Sequence, residues 1–220
     1  MEAVIIASGP SAQNAVVPDG ALLIAVNGSH AICPRRPDVL VIGEKGAAAT
    51  NADAASGLHA KGTRILGRPF VKIPGREVIN DQLGPPHLHH LHSDVLGPIP
   101  RGSHGLPFNS RVWMTSGVLA LWWALDQVQP ERVTVYGIDG YPAPNWPPRH
   151  QHAEYADGVV VCERRPERSP EWVEQNNWYQ GMCLWALSNW YTDSKIVMAS
   201  RHQFHNPRWR VKIMEAAQCH

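Results

Sequence analysis

Two apolar runs that stop abruptly at small-residue turns constrain this chain more than anything else in it. Val4-Ile5-Ile6-Ala7 runs into Ser8-Gly9-Pro10-Ser11, and Val133-Thr134-Val135-Tyr136 runs into Gly137-Ile138-Asp139-Gly140-Tyr141. Between them, Met114-Thr115-Ser116-Gly117 opens an apolar segment beginning Val118-Leu119-Ala120. A short, almost unbroken apolar run is what a strand buried on both faces looks like. Small residues directly after it leave backbone amides accessible at the carboxyl edge of the sheet, where open α/β folds bind ligands.

The same pattern recurs along the chain. Runs at 4–7, 21–26, 38–42, 63–66, 132–136 and 195–199 read as strands. Helices are expected after Ser11, over 47–60, from Thr115 or Ser116 to Gln127, and over 169–191. In the third, Val118, Leu121, Trp122 and Leu125 fall at helical spacing, and Pro130 follows the end. In the fourth, Ser169-Pro170-Glu171 is a strong helix start. Strands alternating with helices predict an α/β fold, a Rossmann-like mostly parallel sheet flanked by helices. One domain over 1–220 is expected, with long irregular lid segments at about 70–112 and 142–169, where Pro, Gly, His and Arg cluster.

Composition narrows the classes. A net charge of +1 argues against wrapping nucleic acid by charge alone, although Arg149, Arg164, Arg165 and Arg168 can form a local patch or simply a solvated loop. The four cysteines (Cys33, Cys162, Cys183 and Cys219) are scattered without a C-x-x-C pair, which fits a reduced, cytoplasmic protein. The first residues lack the basic start and cleavage site of a signal peptide. No apolar run approaches the roughly 20 residues a membrane helix needs, so membrane association would be peripheral. Nine Trp is a high count, mostly core or interface by expectation, with an exposed subset able to stack on a sugar or base.

Several residues can carry chemistry. In Ser8-Gly9-Pro10-Ser11, Gly9 permits close backbone approach, Pro10 suits a first helical position, and the Ser11 hydroxyl with nearby amides can hold a phosphate. A tight strand-to-helix turn is the plainer reading, and the motif is neither G-x-G-x-x-G nor a P-loop. Asn27 follows the second strand and offers donor and acceptor to a base or ribose, or else an Asn-Gly turn with Gly28. Thr115, Ser116 and Gly117 open a helix and suit a carboxylate or phosphate, or form an ordinary cap. Asp139 can bind a hydroxyl or cap a turn, and Tyr141 can donate to a leaving phosphate. His87, His89, His90 and His92 invite a metal reading, without a Cys or acidic partner at clear ligand spacing beyond nearby Asp94.

Taken together, Gly9-Pro10-Ser11, Asn27, Thr115-Ser116-Gly117 and Gly137-Ile138-Asp139-Gly140-Tyr141 resemble, in order and approximate spacing, the bacterial sialyltransferase group of glycosyltransferase family 42, the Campylobacter-type α-2,3/α-2,8-sialyltransferases. The resemblance covers about half the chain. It implies metal-independent transfer of a sialic-acid-like sugar from a CMP-activated donor to an acceptor hydroxyl, with no cofactor. Gly9, Ser11 and Asn27 would hold the nucleotide, Ser116 and Gly117 the donor carboxylate or phosphate, and Tyr141 with Tyr155 the departing phosphate. His150 and His152 are the candidates in the region where the family places its catalytic His, further ahead of Pro170 than the family's pattern, and His152 is the favoured base. The implied acceptor is a glycan, a lipid-linked sugar or a modified nucleic-acid base, and a homo-oligomer is compatible. Besides the His spacing, two departures stand out: Ser8 occupies the family's Asn position, and Arg111 is shifted from the Arg that precedes Thr-Ser-Gly. Two other classes stay open. One is a non-catalytic nucleotide or nucleotide-sugar binding protein; the other is a His-dependent metallohydrolase using the 87–92 cluster.

Overall fold

The structure, a computed structural model, describes residues 1–43, 45–68, 71–73, 81–82, 115–138, 180–181, 183–184 and 187–199. Its strands are β1 (Glu2–Ile6), β2 (Leu22–Val26), β3 (Val39–Ile42), β4 (Arg64–Gly67), β5 (Asp81–Gln82), β6 (Arg132–Tyr136) and β7 (Lys195–Met198). Its α-helices are α1 (Lys45–Thr50), α2 (Ala52–Ala60) and α3 (Ser116–Trp123), the last continuing as a π-helical turn over Ala124–Val128. Residues 180–181, 183–184 and 187–190 are also helical. Among the described residues, no helix is long and apolar enough to cross a membrane.

The strands form one sheet in the order β5-β4-β3-β2-β1-β6-β7, and each described pairing is parallel. This is the expected Rossmann-like α/β arrangement. From β1 the chain steps outward through β2, β3 and β4 to β5, then returns to place β6 on the other side of β1. The strand order therefore reverses between β1 and β6, which puts a crevice at their carboxyl ends. The six long strands lie where the apolar runs predicted, with ends moved by one or two residues.

Both sheet faces are covered, which is why the strand sequences show little polar alternation. Ile5, Ile24, Val41, Leu66 and Val135 face α3, while Ile6, Leu23, Leu40, Ile42 and Ile65 face the opposite layer, where α1 and α2 pack through Ala47, Ala48 and Ala55. All eight residues of α3 are buried, so the apolar stripe expected at Val118, Leu121, Trp122 and Leu125 is part of a helix covered all round. The covering layer includes Cys183, Leu184 and Leu187.

Two local expectations are corrected. The helix expected after Ser11 is a five-residue 3-10 turn, Pro10–Asn14, because the chain must turn back within a few residues to enter β2. The helix expected over 47–60 begins at Lys45 and breaks at Asn51, whose backbone N–H and side-chain Nδ2 both donate to the Ala47 carbonyl, at 3.0 and 2.8 Å. Competition of this kind is how Asn interrupts helices. The helix expected from Thr115 or Ser116 to about Gln127 is present, as α-helix over Ser116–Trp123 and in π geometry over Ala124–Val128, and it ends with Gln129 in the left-handed region at φ 52°. The lid segments and Ser169-Pro170-Glu171 lie outside the described residues.

Gly137 joins the two strands at the crevice. It has φ +77°, and a Cβ there would lie 2.5 Å from the Ala7 carbonyl carbon and oxygen. A side chain therefore meets both a backbone penalty and rigid main-chain atoms. Gly137→Ala is expected to lower stability by at least about 2 kcal/mol, read as a fall in the urea midpoint at unchanged m-value.

At the far end of α3, the Tyr191 hydroxyl donates to Asp126 Oδ1 at 2.9 Å. Burial first, then the hydrogen bond to Asp126 and its negative charge, push the phenol up from 10.0 to about 12. Folding thus favours the neutral phenol. That contribution is whole below about pH 10 and is lost as pH rises toward 12. Tyrosinate absorbance of the native protein should show one late-titrating phenol, and Tyr191→Phe should remove it.

Candidate functional site

The ends of β1 and β6 are joined first. The ladder continues past the strands with Ala7 N–H donating to the Tyr136 carbonyl at 2.8 Å. Gly9 N–H then donates to the Gly137 carbonyl at 2.9 Å, and Gly137 N–H donates to Ser11 Oγ at 2.7 Å. Gly9 itself is extended, at φ −80° and ψ 169°. The glycine demanded by backbone geometry is therefore Gly137, and the Gly9 amide and a Ser11 lone pair are engaged in holding the two turns together. Pro10 opens the 3-10 turn. Ser8 is half-buried at the tip of β1.

A second cluster forms at β2 and β3. Asn27 has φ 51°, a left-handed conformation that Asn tolerates better than most residues. From there its Oδ1 accepts the Gly43 N–H at 3.1 Å, tying the end of β2 to the end of β3. Ser29 reinforces the join: its buried hydroxyl accepts from Val26 N–H at 2.8 Å and donates to the Ile6 carbonyl. His30 sits alongside, with Nδ1 3.0 Å from the Asn27 carbonyl.

The amino end of α3 rests on both clusters. A Cβ added to Gly43 would lie 2.1 Å from Ser116 Oγ, so Ser116 occupies the space that a side chain at 43 would need. A Cβ on Gly117 would lie 2.8 Å from Ile138 Cγ1 and 3.4 Å from the Ala7 Cβ, so Gly117 packs between the ends of β1 and β6. Thr115 is the N-cap residue, with extended backbone and no side-chain capping bond. The first intrahelical bond runs from Leu119 N–H to the Thr115 carbonyl at 2.9 Å. The amides of Ser116, Gly117 and Val118 thus have no partner inside the helix.

Ser116 is the chemically conspicuous residue. It is 5% exposed, and its Oγ is buried without a hydrogen-bond partner. A buried hydroxyl left unpaired costs about 1–3 kcal/mol. Placed at the first position of a helix beside three unbonded amides, it lies where a helix terminus favours an anion.

Ser8, Gly9, Pro10, Ser11, Asn27, Thr115, Ser116 and Gly117 are thus gathered at one edge of the sheet. Asp139, Tyr141, His150, His152 and Tyr155 lie outside the described residues, as do Arg111 and the 87–92 histidines. Among the described residues, no group of three or more His, Cys, Asp or Glu is placed to hold a metal. Sequence reasoning missed Gly43 and quoted Gly137 only as part of the strand-end motif, without a role of its own. Both follow directly on a strand, and that position was the available signal.

No protein-family model matches the chain, and no curated protein matches it. Among solved structures, the MAf glycosyltransferase from Magnetospirillum magneticum AMB-1 is similar at 16% identity and a TM-score of 0.44, over 98% of this chain and 32% of that one. The chain therefore spans about a third of that protein's length. A likeness this distant carries no argument about activity, and the fold assignment rests on the strand order and pairing.

Because Ser116 Oγ is unpaired, Ser116→Ala should leave the fold intact and raise stability by up to about 1 kcal/mol while weakening any anion bound at α3. Urea titration of the unliganded variant checks the first half; a lower midpoint would mean that the hydroxyl is needed by the fold itself.

Proposed function

We propose that the chain is a glycosyltransferase that moves a sialic-acid-like sugar from a CMP-activated donor to an acceptor hydroxyl without a metal. The observation that carries this reading is the buried, unpaired Ser116 hydroxyl beside free amides at the amino end of α3, over the reversal of strand order. That location suits a nucleotide-linked ligand with an anionic centre. The residues that resemble family 42 supply the choice of donor. Ser116 and Gly117 contact the donor carboxylate or phosphate, while Ser8, Asn27 and the Gly9-Pro10-Ser11 turn line the nucleotide side. Asn27 still has its Nδ2 donors for a base or ribose after its Oδ1 is spent on Gly43.

In the proposed reaction, His152, with His150 as its alternate, takes the proton from the acceptor hydroxyl. That oxygen bonds to the anomeric carbon as the bond to the phosphate breaks, and CMP leaves. Tyr141 and Tyr155 donate hydrogen bonds to the departing phosphate. Stabilising charge that develops on a leaving group is a large catalytic term. The acceptor class is a glycan, a lipid-linked sugar or a modified base.

A second reading, a nucleotide-sugar binding protein without turnover, is favoured by the engagement of Gly9 and Ser11 with Gly137, which reserves both for structure. One experiment separates them. CMP should raise the melting temperature more than UDP or GDP does, because a ligand that binds the native state stabilises it by mass action. Incubation with CMP-sialic acid should release CMP, and His152→Ala should abolish release with the CMP-induced shift retained. A shift without release favours the binding protein; no shift with any nucleotide ends both readings.

A further inference from the structure

Arg68 follows β4 directly and is 5% exposed. Its guanidinium cannot shed its charge, and burying a cation is costly unless an anion compensates. Two independent features of the fold say where it lies.

The first is strand alternation. Leu66 belongs to the cluster on the α3 face of the sheet, while Ile65 belongs to the opposite one. Arg64 is also on the α3 face, with its guanidinium carbon 5.7 Å from the ring centroid of Trp123 at the carboxyl end of that helix. Successive side chains alternate along a strand, so Arg64 and Leu66 share a face, and Arg68 stands at the next position of that alternation, one residue past the end of β4. Since α3 runs antiparallel to the strands, moving from Arg64 to Arg68 leads from the carboxyl end of α3 toward its amino end.

The second is register. Ile42 pairs with Gly67 as the last pair of the β3–β4 ladder, so Gly43 and Arg68 are the residues that follow directly on it. Neighbouring strands lie about 4.8 Å apart. Gly43 is the residue on which Ser116 is packed. Arg68 therefore leaves the sheet next to the residue that carries the unpaired Ser116.

We propose that Arg68 and Ser116 together bind an oxyanion at the amino end of α3, with Arg68 supplying the full positive charge and Ser116 with the helix amides supplying directed hydrogen bonds. The ligand class is a phosphoryl or carboxylate group, and within the function proposed above, on which this assignment of source rests, it belongs to the nucleotide-sugar donor. Arg68 also has a further interaction within the chain. A five-donor guanidinium has capacity for both. Gly43 serves as a positioning residue: its missing side chain leaves room for Ser116, and the hydrogen bond its N–H donates to Asn27 Oδ1 holds it in place.

The test uses the full chain and calorimetric titration with CMP, cytidine, inorganic pyrophosphate and free N-acetylneuraminate. Arg68→Gln should weaken binding of CMP, or of N-acetylneuraminate if the oxyanion is the sugar carboxylate, at least about tenfold, with cytidine unchanged. Arg64→Gln, on the same face but at the other end of α3, should leave every affinity unchanged. Affinities of Arg68→Gln within twofold of the parent for CMP, pyrophosphate and N-acetylneuraminate would overturn the inference and leave the proposed function standing. Conversely, pyrophosphate binding that depends on Arg68, in a protein that ignores CMP and N-acetylneuraminate, would uphold the oxyanion site and end the donor assignment. A parent chain that binds none of the four probes would overturn the oxyanion site as well. Should Arg68→Gln fail to fold, Ser116→Ala carries the test: a tenfold loss for CMP or N-acetylneuraminate with cytidine unchanged supports the shared site, and no loss for either overturns it.

Discussion

The contact between the first turn of α3 and the carboxyl ends of the strands depends on missing side chains. Gly43 leaves room for Ser116, and Gly117 fits against Ala7 and Ile138 because neither partner meets a Cβ on it. Helices usually pack on sheets through layers of side chains, which holds their backbones about 10 Å away. Here glycine lets the helix start descend onto the strand tips. Its unpaired amides then lie within the edge where the sheet order reverses, rather than above it.

The rest of α3 explains why that position is held. All eight of its residues are buried, with Leu119 and Leu121 fully covered, and burial of each such side chain contributes about 1.5–3 kcal/mol. The apolar length of the helix sets its axis over the sheet, while Tyr191 on Asp126 and Arg64 on Trp123 fasten its far end. Against that anchoring, a single unsatisfied hydroxyl at Ser116 is a tolerable cost. Natural proteins commonly concentrate such costs where a ligand binds.

Much of the scaffold was legible beforehand. The strands announced themselves because a parallel strand covered on both faces must be apolar throughout, and that property survives in a single sequence as a run of Val, Ile and Leu. Helix extents were less legible from local signals. Pro10 is a good first helical residue, yet the turn it opens is only a 3-10 turn, because β2 must begin soon afterwards. The Ala-rich stretch is interrupted at Asn51, whose side-chain Nδ2 shares the Ala47 carbonyl with its own backbone N–H. At Pro10 local preference was overruled by the path the chain has to follow; at Asn51 one side chain breaks the run.

The candidate site divides in the same way. That small and hydroxyl-bearing residues follow the first strand and open the central helix was determined by the sequence itself, since buried strands and helix starts have compositions of their own. That Gly9 and Ser11 would be occupied by Gly137, that Asn27 would reach Gly43, and that Ser116 would pack on Gly43 was decided only by the tertiary structure. Pairing between strands distant in the chain sets which tips are neighbours, and no local preference encodes register. A hydroxyl becomes buried and unpaired only when residues from several elements close around it, so its chemical standing is a property of the assembled sheet and helix.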